Sequence, residues 1–235
     1  YAADMMRSYP FGADITGLSK FTSYFIAYLY KFLSIFDKTL TLEYVNNIYP
    51  IIAMAIMSIF LFLLLRRLFN WRAGLISVLI LNVIPSFLFR SMGGSSDHDA
   101  LVIMLVVMAF YYYVTAWQST KIKYNIIFGI IAGIITGLAV FTAGASSFIF
   151  VIIGIYTLIE IFLNKFTKND YYTFVSWLIV SSIILKIKTG VPLFILFFSV
   201  STGTAYLALV VSTIYYFVFK KDYLKKYKEK YSNIL

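Results

Sequence analysis

Apolar residues in this chain come in long unbroken blocks separated by short charged turns, not in the alternation of a half-buried strand. A block needs about 20 residues to cross the roughly 30 Å hydrocarbon layer of a bilayer as a helix. Seven stretches read as spans: residues 47–65, 73–89, 100–117, 124–142, 146–163, 171–185 and 191–219. The sixth is short, with Lys186 and Lys188 placed to reach outward from its end. The seventh is overlong, and Pro192 with the polar stretch 199–204 marks where it tilts or breaks. Ahead of the spans, residues 1–16 carry Tyr9-Pro10-Phe11-Gly12 and read as an aqueous loop. Residues 18–36 predict a two-faced helix, with Phe21, Phe25, Tyr28 and Phe32 on one side and Lys20, Ser23, Ala27, Lys31 and Ser34 on another. Such a helix lies on a membrane surface rather than through it. The predicted class is all-α, a polytopic transmembrane helical bundle of about seven spans plus an external amphipathic helix. It divides into an external segment (1–46), the bundle (47–219) and a basic cytoplasmic tail (220–235).

Composition agrees: 61% hydrophobic residues and a mean hydropathy of +0.86 leave too little polar surface to close around a soluble core. The net charge of +10 falls between the apolar blocks rather than on one surface, so it reads as topology and excludes nucleic acid as a partner. Turns after the first, third, fifth and seventh spans hold Arg66, Arg67 and Arg72, then Lys121 and Lys123, then Lys165 and Lys168, then six lysines between Lys220 and Lys230. The alternate turns hold only Arg90, Lys186 and Lys188. By the positive-inside rule the first set is cytoplasmic, and the turn after Arg90 faces outward. The basic tail also suits acidic lipid headgroups, though a stop signal for the last span explains it equally well.

That outward turn is where chemistry gathers. Residues 90–99 read Arg-Ser-Met-Gly-Gly-Ser-Ser-Asp-His-Asp, and His98, the chain's one histidine, separates Asp97 from Asp99. Two carboxylates at i and i+2 can converge on one hard cation where the backbone is not yet helical, and Gly93 and Gly94 supply a flexible approach. The chain has no cysteine, so oxygen donors are what remains for a metal. The plainer alternative is that Asp97 caps the helix beginning near Ala100, with Ser95 and Ser96 adding hydrogen bonds. Ionisable groups at a membrane boundary are costly without a task, which favours a functional site. Elsewhere, Glu160 is expected to pair with a neighbouring hydroxyl or lysine, Gly129, Gly133 and Gly137 to admit a close helix, and Tyr111, Tyr112, Tyr113 and Trp117 to form an interfacial belt.

The order of these elements resembles the catalytic subunit of oligosaccharyltransferase, closest to its archaeal form. The likeness rests on the Tyr-Pro-x-Gly loop, the amphipathic helix, Arg-Arg-Leu-Phe at 66–69, Arg-Ser-x-x-Gly-x-x-Asp-His-Asp at 90–99 and the three spaced glycines, from about Tyr9 to Ala145. It implies a C-type glycosyltransferase fold and transfer of a glycan from a polyprenyl (pyro)phosphate carrier to Asn in an Asn-x-Ser/Thr sequon, with Mn²⁺ or Mg²⁺. Asp97 and Asp99 then correspond to metal-binding acids and Arg90 to the arginine seven residues before the first of them. His98 is expected to orient a carboxylate or a metal-bound water. The implied partners are a lipid-linked oligosaccharide, an acceptor protein bearing the sequon and membrane lipid. The family's other acidic motifs and its Trp-Trp-Asp-Tyr-Gly motif have no counterpart between Tyr1 and Leu235, and Phe141 stands at an expected tryptophan. The chain is therefore expected to be an internal part of such an enzyme or a shortened relative. Competing readings are another lipid-linked-sugar-dependent membrane glycosyltransferase, or an ion-coupled transporter, which would place its acids near the midplane and show internal repeats.

Overall fold

Three glycines four residues apart set the centre of the bundle. On helix α6 (Ile122–Thr142), a methyl group at Gly133 would meet the Trp177 carbonyl oxygen at 2.7 Å, and one at Gly137 would meet Ile184 Cβ at 2.7 Å. At Gly129 the obstruction is the Ser176 hydroxyl. Helix α8 (Lys168–Thr189) thus lies directly on the glycine face of α6, because small residues let two backbones approach where hydrocarbon outside gives helices no hydrophobic reason to associate.

The structure, a computed structural model, describes residues 3–4, 13–14, 21–94, 97–189 and 193–217. The Tyr9-Pro10 loop, Lys20, Ser95, Ser96, Pro192 and the basic tail lie outside the described residues, as does the side chain of Lys188. Two-residue strands β1 (Ala3–Asp4) and β2 (Ala13–Asp14) pair antiparallel, and every other element is helical. Besides α6 and α8 these are α1 (Phe21–Leu33), α2 (Leu42–Leu68), α3 (Trp71–Val83), α4 (Pro85–Ser91), α5 (Asp99–Trp117), α7 (Phe148–Phe162), α9 (Leu193–Phe198) and α10 (Gly203–Tyr215). α5 packs between α2 and α6, α3 packs on α2, and α7 pairs with α10, whose first turn lies against Gly154. Trp177 is fully buried where four helices meet, touching the rings of Tyr113, Phe150 and Phe174 and donating its indole N–H to Thr136 Oγ1 at 3.0 Å.

Among the described residues five helical segments are long and apolar enough to cross a membrane: 42–68, 99–117, 122–142, 144–162 and 168–187. The chain is a multi-pass bundle, but a count of seven spans is not reached. The expected second span is a bent pair, α3 and α4 meeting at 72°. Pro85 begins α4 without an N–H to donate and drives Ile84 into an extended conformation (φ −70°, ψ 119°). The expected seventh span is two short helices, α9 and α10, separated by the polar stretch 199–202. The sixth, expected to be short, is a full 22 residues: Thr167 and Asp170 start it at Lys168, and it continues past Lys186 to Thr189. Thr167 N–H and O–H donate to Asp170 Oδ2 at 2.7 and 2.6 Å, while the Asp170 amide faces Thr167 Oγ1 at 3.4 Å, a reciprocal cap.

Two side-chain expectations change as well. Three consecutive helical residues point about 100° apart, so Tyr111, Tyr112 and Tyr113 share a level but not one face. Tyr113 enters the core, while Tyr111 and Tyr112 pack on Phe60. On α1 the buried stripe is Phe21, Phe25, Ile26, Leu29 and Leu33, docked on α2 and α6, with the Phe21 and Phe141 rings edge to face. Tyr28 and Phe32 face outward, 68% and 58% exposed, because the bundle takes the neighbouring stripe of a helix that is apolar on more than one side. Between α1 and α2, Thr39 donates its N–H and O–H to Asp37, which holds that exposed carboxyl below its ordinary range.

Candidate functional site

The bend at Pro85 aims α4 at the start of α5, and this geometry brings Arg90 to the acidic cluster. Arg90 sits in the last turn of α4 and its Nη1 donates to Asp99 Oδ2, in the first turn of α5. The loop between them lies on the N-terminal part of α2. Gly94 takes a left-handed φ of +89° and donates its N–H to the Asn47 carbonyl at 3.0 Å, a conformation that favours glycine. A methyl group at Gly93 would meet Ile51 Cδ1 at 3.1 Å, so the backbone there lies close against α2. The fully buried Tyr49 donates its hydroxyl to the Asp97 carbonyl.

Within this frame His98 stands between the two acids. Its Nδ1 is 2.6 Å from Asp97 Oδ1 and its Nε2 is 3.7 Å from Asp99 Oδ1. One ligand atom from each of Asp97, His98 and Asp99 lies within 4.8 Å of the others. The side chains of Asp97 and His98 are open to solvent, whereas that of Asp99 is 22% exposed beneath the Arg90 guanidinium. The ion pairs among the described residues all belong to this group. An exposed pair of this kind stabilises by at most about 1 kcal/mol, so its consequence is position more than stability. Arg90 engages Asp99 through Nη1 and Oδ2 alone, and a guanidinium carries further N–H donors.

For Asp97 the capping alternative does not hold, and its Ser95 and Ser96 part lies outside the described residues. Asp97 Oδ1 accepts from the His98 amide next to it at 2.7 Å, and the N-cap of α5 is His98, which makes no side-chain cap bond. Asp97 thus binds its neighbour's backbone and imidazole instead of the first-turn amides of the helix. Asp99, one residue into α5, benefits from the positive end of the helix.

Glu160 lies at the opposite end of the bundle, where its Oε1 accepts from Tyr156 O–H at 2.7 Å and Trp117 N–H at 3.0 Å. A neighbouring hydroxyl pairs with it, as its burial demands, and an indole joins. Sequence reading missed Tyr49 and Asn47, whose partners are 48 and 47 residues away and leave no local pattern. Pro85 was the one available signal for the turn that delivers Arg90.

Comparison with known proteins follows the same outline. Residues 20–187 match the family model for dolichyl-phosphate-mannose-protein mannosyltransferase. The dolichyl-diphosphooligosaccharide–protein glycosyltransferase subunit STT3A of Oryza sativa subsp. japonica is 26% identical over 168 residues, covering 70% of this chain and 20% of that protein. The Archaeoglobus fulgidus oligosaccharyltransferase, in a crystal structure with Zn and sulfate, superposes with a TM-score of 0.72 at 25% identity. That superposition covers 97% of this chain and 30% of the archaeal one. The AglB structure from the same organism, in complex with an inhibitory peptide and a dolichol-phosphate, shares the fold with a TM-score of 0.68 at 22% identity, over 93% of this chain and 28% of that one. The chain thus spans a fifth of the plant relative and less than a third of either archaeal structure. The family match over 168 residues, and a bundle superposing along nearly its whole length, make this chain a member of the dolichyl-phosphate-mannose-protein mannosyltransferase family, with the membrane-domain fold of the archaeal oligosaccharyltransferase.

Proposed function

We propose that this chain is the membrane-embedded catalytic part of a protein N-glycosyltransferase. It moves a glycan from a polyprenyl (pyro)phosphate carrier to the side-chain amide of Asn in Asn-x-Ser/Thr, at the extracytoplasmic end of the bundle. The observation that carries this reading is the Asp97–His98–Asp99 cluster, held beside Arg90 where the membrane-crossing helix α5 begins. A lipid-borne donor presents its phosphate at that level and keeps its chain in the bilayer. Arg90 is 65% exposed on its side chain, and donors not used by Asp99 are available to phosphate oxygens as the sugar–phosphate bond breaks. Hard carboxylate oxygens this close together suit Mn²⁺ or Mg²⁺, which Asp97 and Asp99 would hold. Such an ion, when bound, supplies positive charge against the leaving phosphate. His98 orients the acids through its two ring nitrogens. The excess of Lys and Arg at the other end of the bundle supports the outward orientation.

The test uses membranes from cells making the protein as its gene encodes it, given a lipid-linked oligosaccharide and a fluorescent Asn-x-Thr peptide. Glycopeptide should form, and both a chelator and Asp97→Ala should suppress it. Transfer that survives both would overturn the site. The family model's description favours a second reading, in which mannose passes from dolichyl phosphate to protein. A peptide with Ser and Thr but no Asn, given dolichyl phosphate mannose as donor, separates the two, since only the second reading labels it.

A further inference from the structure

α5 runs 19 residues from Asp99 to Trp117, which puts its far end about 28 Å from the acidic cluster. There α2, α5 and α6 border an open cavity of about 430 Å³ lined by Arg67, Thr115, Gln118, Lys121 and Tyr124 among others. Arg67 is held as a fixed fork: its Nε donates to Gln118 Oε1 at 2.8 Å and its Nη1 to Thr115 Oγ1 at 3.1 Å. Thr115 in turn donates to the Tyr111 carbonyl at 2.8 Å, so the hydroxyl is oriented to accept from the arginine. Lys121 places its ammonium 6.0 Å from the Tyr124 ring centre. Arg66 and Arg67 also border an adjoining cavity of about 220 Å³.

These cations have no acidic partner among the described residues. The two described acids at this end are committed elsewhere, Asp170 to Thr167 and Glu160 to Tyr156 and Trp117. A guanidinium offers five N–H donors, and the two bonds above leave three for an anion. From the cavity a row of rings leads toward the middle of the bundle, Tyr124 stacking on Phe128 at 6.2 Å and Phe128 on Tyr112 at 6.3 Å. A soluble phosphate would use only the cationic mouth. A ligand with a phosphate head and a hydrocarbon body would use the mouth and the aromatic wall together.

We propose that this cavity binds the phosphodiester headgroup of an anionic membrane lipid, with the acyl chains along the Tyr124–Phe128–Tyr112 wall. The site is separate from the acidic cluster and does not depend on the transferase reading. It clamps α2, α5 and α6 together from the side opposite the chemistry.

Native mass spectrometry of the purified protein in detergent tests it, by titration with dioleoyl phosphatidylglycerol, dioleoyl phosphatidylcholine and glycerol 3-phosphate. Phosphatidylglycerol should bind at least about fivefold more tightly than phosphatidylcholine, the contribution of roughly one basic residue at an anionic headgroup. Arg67→Gln and Lys121→Gln should each remove about that factor, while Lys165→Gln, at the same end but outside the cavity, should not. Arg67 also ties α2 to α5, so Arg67→Lys and Lys121→Gln carry the comparison if Arg67→Gln fails to fold. Equal affinity for the two lipids would overturn the proposal. So would displacement of phosphatidylglycerol by equimolar glycerol 3-phosphate, or a loss with Lys165→Gln as large as with Lys121→Gln, which would mean diffuse charge and no built site.

Discussion

Along the α6–α8 seam a methyl group at Gly133 would strike a main-chain carbonyl at 2.7 Å, whereas at Gly94 in the acidic loop it would meet nothing within 4 Å. The seam is made of backbone against backbone, with few polar ties, among them the Trp177–Thr136 bond. The loop is made of polar groups at the surface, and among the described residues Tyr49 donates to it and Asn47 accepts from it, tying it to α2. The difference separates what holds the bundle from what would do the chemistry. A close-packed seam cannot relax around added volume, and an exposed loop loses little stability when a side chain is cut away. Substitutions in the two places should therefore register on different instruments.

The largest effect is expected at Asp97. Replacing it by Ala should lower glycan transfer by about 10²–10³, the scale for losing a group that stabilises developing charge, with the melting temperature in detergent unchanged. A matching fall in melting temperature would erase the contrast, since the loop would then be structural. Gly133→Val should do the reverse, costing about 1–3 kcal/mol of stability because the Trp177 carbonyl belongs to a helix that cannot step aside. Thermal unfolding reads this directly. An unchanged transition would mean the two helices have room to separate.

Smaller changes sharpen the picture. His98→Asn keeps a polar side chain but cannot reach both acids through two ring nitrogens. Transfer should fall about tenfold, and the Mn²⁺ concentration needed for half activity should rise. If activity falls while that requirement stays put, His98 acts on something other than the acids. Tyr49→Phe removes one hydrogen bond to the Asp97 carbonyl, about 1 kcal/mol, so transfer should drop roughly fivefold with protein yield unaltered. No change in transfer would show that the Tyr49 bond does not position the loop.

Part of this arrangement was legible before any fold was known. The apolar blocks marked the membrane helices, the spaced glycines marked the seam, and Asp97, His98 and Asp99 stood adjacent in sequence, so their nearness required no folding. Arg90 was visible as a candidate, but its contact with Asp99 was not, because the contact depends on the 72° turn between α3 and α4. Pro85 signals that turn, yet hydropathy averages over one proline and reads a single span.

Sequence alone determined that apolar helices form a membrane bundle and that the acids share one loop, because both follow from local composition and from neighbours along the chain. Tertiary structure alone decided which stripe of α1 is buried, why Tyr113 leaves the aromatic belt for the core, and that Tyr49 and Asn47 hold the loop from 47 or 48 residues away. Each of those depends on which helix packs against which, and a one-dimensional hydrophobic pattern carries no record of its partner.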